Sequence, residues 1–178
     1  SFNILVKNNT FQNCGNGGFT AGQGTGFQWM VPPFLTYEAA GVSIVGNFVK
    51  NANGAAFGVN GGFNVLIARN TATQVGARSH LLEVVFGSRS CDGQPGDEGR
   101  ERCQQYLNAS NMGWGTTGVD MDVRIPNNHV TIYGNCIVNE APYQSEWQQF
   151  TIFGATGSQP GSNIPSNARA DDDLLISR

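Results

Sequence analysis

The stretch His129–Asn139, "HVTIYGNCIVN", puts apolar side chains at every second position and then breaks at Gly134-Asn135. Nearly the same phrase occurs three times upstream: "NILVKNNTFQN" from Asn3, "GVSIVGNFVKN" from Gly41 and "NVLIARNTATQ" from Asn64. Alternation with period two marks a strand, because a helix would repeat its apolar positions at three and four residues. Aligned on Asn9, Asn47, Asn70 and Asn135, the phrases carry Ile4/Val6, Val42/Ile44, Val65/Ile67 and Val130/Ile132 in one register, at steps of 38, 23 and 65 residues. The final phrase "DLLISR" offers Leu174 and Ile176 as a fifth copy, with its asparagine falling just past Arg178.

The step of 23 reads as the bare repeat, and the longer steps as the same unit carrying insertions. Strand-built repeats in the low twenties bury their apolar face only by stacking on their neighbours, which predicts an all-β solenoid. Stacked passages lie about 4.8 Å apart, so equivalent asparagines come into line. Their side-chain amides can then form a hydrogen-bonded ladder. The four asparagines are therefore read as structural rather than catalytic. Asparagine also tolerates the left-handed conformation of tight bends.

Composition agrees with strands and turns: 24 of the 178 residues are glycine. That length suits a single domain spanning residues 1–178. With 10 Lys and Arg and a formal net charge of −3, the chain has no basic footprint for nucleic acid. No apolar run reaches the length of about eighteen residues that a membrane helix needs, so membrane insertion is not expected. No leader is visible, and both ends fall inside strand phrases without the polar cap of a terminal repeat. The expectation is a fragment of a longer solenoid.

The register, together with "GARSHLLEVVFGSRSCDG", "IPNNHVTIYGNCIVN", "YQSEWQQF" and "GSNIPSNARADDDLLISR", resembles right-handed parallel β-helix proteins of the pectate-lyase-like superfamily, and in particular secreted β-helix proteins of algae and bacteria. The resemblance implies that fold and an extracellular or cell-surface setting, without assigning a reaction. Right-handedness also follows the rule for parallel crossovers.

Four cysteines are too few for a disulfide-built scaffold. Cys91 and Cys103 bracket the polar loop "DGQPGDEGRER" and are expected to form a local disulfide, worth roughly 2 to 3 kcal/mol, in an oxidising compartment. Cys14 and Cys136 are read as small buried hydrophobes. The sequons at Asn8 and Asn108 are candidate glycosylation sites.

In a packed solenoid, chemistry belongs to the outer faces and to inserted loops. Three insertions are expected, at about 20–40, 87–118 and 140–170, and they contain Trp29, Trp114, Trp147, Tyr37, Tyr106 and Tyr143. Aromatic faces stack on sugar rings, which makes Trp29, Trp114, Trp147 and Tyr143 candidate substrate-binding residues. Such rings also commonly fold back over apolar flanks.

The densest polar group holds Arg78, His80, Glu83, Arg89 and Asp92. With Arg124, the residues Arg78, His80 and Glu83 form a candidate acid/base set: a histidine to carry a proton and an arginine to hold a carboxylate or enolate. On a straight strand Arg78 and His80 share a face while Glu83 points away, so convergence needs a bend; a structural ion pair of Glu83 is the competing reading. "GVDMDVRIP" alternates, with Asp120, Asp122 and Arg124 on one face. Two carboxylates about 7 Å apart could share Ca²⁺, a hard oxygen-loving cation, which is the candidate cofactor; a solvated face balanced by Arg124 is the alternative. "RIPNNH" has Arg124 and Pro126 of the R-x-P-x-x-R motif of pectate lyases, but His129 stands where the second arginine belongs.

Two functions follow as expectations. One is a secreted protein that binds an extracellular or cell-wall polysaccharide, with cleavage as a polysaccharide lyase or glycoside hydrolase as its enzymatic form. The other is a non-catalytic structural module of a surface appendage or matrix, whose partners are neighbouring protein chains.

Overall fold

A computed structural model of the chain describes residues 2–26, 37–85, 87–90, 123–125, 127–139, 150–152, 169–171 and 174–177. The described residues are all-β. The first passage contains β1 (Phe2–Lys7), β2 (Thr10–Cys14), β3 (Phe19–Ala21) and β4 (Gly24–Gly26). The second contains β5 (Ala39–Val45), β6 (Phe48–Ala52) and β7 (Phe57–Asn60). β8 (Gly62–Ala68), β9 (Thr71–Val75), β10 (Leu82–Val85) and β11 (Gly87–Ser90) form the third. β12 (Val123–Ile125), β13 (Asn128–Tyr133), β14 (Cys136–Asn139) and β15 (Phe150–Ile152) follow, and then β16 (Arg169–Asp171) and β17 (Leu174–Ser177).

Each passage gives one strand to each of two five-stranded parallel sheets, ordered β1-β5-β8-β13-β16 and β2-β6-β9-β14-β17. A third sheet runs β3-β7-β10-β15, also parallel. In the fourth, β11 pairs parallel with β4 and antiparallel with β12. The pairing Ile4↔Val42↔Val65↔Val130 and Val6↔Ile44↔Ile67↔Ile132 repeats the sequence register. Chemically similar side chains therefore stack in columns. Val42, Ile44, Val65, Ile67, Val130 and Ile132 point inward, where they meet Val49, Ala72 and Ile137 of the second sheet and Phe57, Leu82 and Val84 of the third in one buried cluster. Phe57, at 0% exposure, is the bulkiest fully buried side chain among the described residues.

The bends repeat as well. Left-handed residues recur at five-residue intervals: Asn3, Asn8 and Asn13; Gly41, Gly46 and Asn51; Asn64, Arg69 and Gln74; and His129 and Gly134. The strand registers skip the first column, at Asn3, Gly41, Asn64 and His129, and resume one residue later. Stacked kinks thus bend each strand at the same height. At the second column an asparagine lies against a glycine, since a Cβ on Gly46 would come within 2.8 Å of Asn8 Oδ1. Glycine and asparagine meet two demands here, a positive φ at low cost and close contact between neighbouring passages.

Four sequence expectations change. The left-handed residue is the one before each aligned asparagine (Asn8, Gly46, Arg69, Gly134), not the asparagine itself. "DLLISR" belongs to the second sheet, where Leu174 pairs with Cys136 and Ile176 with Val138. The strand beside β13 is instead β16, with Arg169 opposite Thr131 and Ala170 opposite Ile132. Cys14 and Cys136 are free and only half-buried. The segments read as insertions also contribute strands, since β4, β11 and β15 all fall within them.

Candidate functional site

Two polar constellations stand out, one inside the stack and one on its flank. Inside, Asn47, Asn70 and Asn135 are 2%, 1% and 1% exposed. Asn9 donates from its backbone N–H (3.0 Å) and its Nδ2 (3.1 Å) to Asn47 Oδ1. Asn47 donates in the same way to Asn70 Oδ1 at 2.8 and 3.0 Å. Asn70 repeats the pattern to Asn135 Oδ1 at 3.1 and 2.9 Å. The second hydrogen of each Nδ2 goes to a carbonyl one passage back: Asn47 to Val6, Asn70 to Ile44 and Asn135 to Ile67. Both hydrogens of Asn47 and Asn70, and the Oδ1 of all three buried asparagines, are therefore bonded, which is the condition for burying an amide without net cost.

Asn127 and Asn139, both at 0% exposure, do related work that the sequence reading missed. Asn127 Oδ1 accepts from Gly62 N at 2.8 Å while its Nδ2 donates to Val85 O at 2.6 Å. Asn139 makes the same pair of bonds to Val75 N and Val75 O. A primary amide copies a peptide group, so these side chains satisfy backbone groups where the strand ladder gives out. Their signal would have been an asparagine at each end of the "NNHVTIYGNCIVN" phrase.

On the flank, corner length decides the geometry. The corners between the second and third sheets are 15–18 in the first passage, 53–56 in the second and 76–81 in the third. The third is two residues longer, and the step from Phe57 to Leu82 is accordingly 25 residues where that from Val49 to Ala72 is 23. Gly76 N donates to Ala52 O (3.1 Å) and Gly54 O (3.0 Å), and Arg78 N to Asn53 O (2.8 Å). Leu81 O accepts from Ala56 N at 2.8 Å. The extra residues are thus pushed outward between fixed points.

Beside this corner lies a cleft of about 420 Å³ that crosses three passages. Its walls include Asn16, Thr20, Asn53, Arg78, Ser79 and Glu83. Strand register brings two of the lining residues together: Thr20 and Glu83 are both ladder neighbours of Gly58, on the outward side of the third sheet. Gly58 lets these two side chains close over it, because a Cβ there would stand 3.0 Å from Thr20 Oγ1 and 3.2 Å from Glu83 Cγ. Ser79 Oγ is 3.4 Å from Glu83 Oε2. Asn60 also borders the cleft, and its buried Oδ1 has no hydrogen-bond partner among the described residues.

The sequence candidates divide accordingly. Arg78 and Glu83 line the same cleft, and His80 is not among its lining residues. Arg78 and His80 sit in the corner and not on a strand, so the face argument for a straight strand does not apply to them. Arg124 is opposite Ser88 in the fourth sheet. Trp29, Trp114, Trp147, Tyr143, Tyr106, Asp92, Asp120, Asp122, Cys91, Cys103 and Asn108 lie outside the described residues. Asn8 is exposed on its bend. Among the described residues no group of three or more His, Cys, Asp or Glu could hold a metal ion, and no helix is long and apolar enough to cross a membrane.

A third group lies on the outer face of the first sheet. Tyr37 stacks on Phe63 (centroids 5.0 Å apart, 28° between planes), and His129 meets the same ring edge-on at 5.4 Å. Asn128 Nδ2 lies 3.3 Å from the Tyr37 hydroxyl. Phe2, at 49% exposure, shares the Phe63 column across Ala40.

No family model, curated protein or solved structure matches this chain. Function is therefore argued from the cleft and the faces alone.

Proposed function

We propose that the successive passages are coils of a right-handed parallel β-helix of the pectate-lyase-like architecture, and that the flank cleft binds an extracellular or cell-wall polysaccharide. The observation that carries this reading is the composition of the cleft. One carboxylate, one guanidinium and several hydroxyl and amide groups line a concavity of about 420 Å³. A sugar chain needs neutral donors and acceptors at close spacing, with few charges. Because the walls come from three successive passages, a bound chain would run along the stacking direction. For cleavage by elimination or hydrolysis, Glu83 and Arg78 are the ionisable groups that the cleft offers.

The same reading includes a secreted or cell-surface location, a Cys91–Cys103 disulfide, glycans on Asn8 or Asn108, aromatic contacts from Trp29, Trp114, Trp147 and Tyr143, and Ca²⁺ at Asp120 and Asp122. The test is a glycan array followed by titration calorimetry on any hit, with Glu83→Gln and Arg78→Ala as variants. Binding that weakens in both variants while thermal stability is unchanged supports the cleft. Absence of binding to neutral and acidic polysaccharides alike rejects it.

A second reading, a non-catalytic structural module, is favoured by a different observation: Phe2, Leu5 and Phe63 are exposed on the outer face of the first sheet. Apolar outer faces suit contact with neighbouring protein chains. Phe63→Ser that abolishes assembly while sparing glycan binding would favour it.

A further inference from the structure

The sequence contains three Asn–Gly dipeptides, Asn16-Gly17, Asn53-Gly54 and Asn60-Gly61. All three asparagines line the flank cleft. At the first two, glycine is required by close stacking: a Cβ on Gly54 would come within 2.9 Å of Gly17 N, and one on Gly17 would collide with the Ala55 carbonyl oxygen. A corner built this way has a chemical consequence. Because glycine has no side chain, the following backbone nitrogen can reach an asparagine side-chain carbonyl without steric hindrance.

The three sites differ in whether that nitrogen is engaged. Gly54 N donates to Asn16 O at 2.9 Å, and Gly61 N donates to Val85 O at 3.3 Å. Gly17 N has no acceptor among the described residues. Asn16 is also the exposed one of the three asparagines, the other two being half-buried.

We propose that Asn16-Gly17 is a site of spontaneous deamidation which adds a carboxylate to the cleft wall. The Gly17 nitrogen, giving up its proton, attacks Asn16 Cγ. A C–N bond forms, the Cγ–Nδ2 bond breaks, and ammonia leaves with the proton, closing a five-membered succinimide. Water then opens the ring at either carbonyl, giving aspartate or isoaspartate. No oxidant or reductant is involved. Each event lowers the net charge by one and places the new negative charge in the cleft that holds Glu83 and Arg78. The isoaspartate product also lengthens the backbone where Asn16 O accepts from Gly54 N, so it loosens the corner. The proposal holds whatever the cleft binds.

The test is to incubate the folded chain at mildly alkaline pH and measure aspartate and isoaspartate at positions 16, 53 and 60 by peptide mass analysis. The same measurement follows in denaturant, where no hydrogen bond protects any site. Asn16 should react about tenfold faster than Asn53 and Asn60 in the folded protein, the factor that one hydrogen bond of about 1.4 kcal/mol carries. In denaturant the three rates should converge. Asn16→Gln, at an exposed position, should remove the early acidic species on isoelectric focusing while leaving the unfolding transition in place. The proposal is overturned if Asn16 in the folded protein reacts no faster than Asn53 and Asn60, or if the acidic species persists in Asn16→Gln.

Discussion

The asparagine spine and the flank cleft are built from the same strands, yet they respond to sequence in opposite ways. Along the spine the first four passages turn alike, each through a left-handed residue before its asparagine. Asn9, Asn47, Asn70 and Asn135 keep their alignment although the steps between them are 38, 23 and 65 residues. On the flank the third passage spends two more residues on its corner, and a cleft lies beside the difference. A buried amide column fixes register because any slip would leave several donors and acceptors unpaired in a dry interior. A solvent-facing corner carries no such penalty and can vary in length. The spine therefore supports stability, and the flank is where a ligand can be accommodated.

Substitutions can break or sharpen that contrast. The largest loss should come from the core that both regions share: Phe57→Ala should cost about 4 kcal/mol in denaturant unfolding, through lost burial and a cavity that neighbouring columns cannot fill. Asn70→Ala should follow at about 3 kcal/mol, since it leaves Asn47 N–H, Asn47 Nδ2 and Ile44 O short of partners inside the stack. Asn9→Ala, at the exposed end of the column, should cost about 1 kcal/mol. The exposed pair Asn13–Asn51, joined at 2.8 Å, supplies the control: Asn51→Gly, which keeps the left-handed backbone at no steric cost, should change stability by less than about 0.5 kcal/mol. An Asn51 effect as large as that of Asn70 would erase the distinction between buried and exposed amides. On the flank, Glu83→Gln should shift unfolding by less than about 0.5 kcal/mol, while under the proposed function it weakens polysaccharide binding.

The alternation of Val130 and Ile132 and the spacing of the asparagines were readable because parallel stacking repeats the same requirement at each passage. Legibility ended where that repetition did. Arg169-Ala170-Asp171 forms the strand beside β13 without an apolar pair. "DLLISR" carries the expected alternation in the neighbouring sheet, since parallel pairing is made by the backbone and a terminal strand can mimic the wrong column. Asn127 and Asn139 went unnoticed because the groups they satisfy, on Gly62, Val75 and Val85, are distant in sequence. The convergence of Arg78 with Glu83 depends on a six-residue corner, and composition does not distinguish such a corner from a strand. The cleft itself follows from differences in corner length, which appear only once neighbouring passages are in register.

The most direct test of the central claim is hydrogen exchange of the asparagine side-chain amides, followed by NMR. The Nδ2 protons of Asn47, Asn70 and Asn135 should exchange only through large-scale opening, at rates close to those of the most protected backbone amides in β5 and β8. The Asn51 amide should exchange at the speed of an exposed group. Rapid exchange at Asn47 and Asn70 in an otherwise folded protein would contradict the ladder as the element that holds the passages in register.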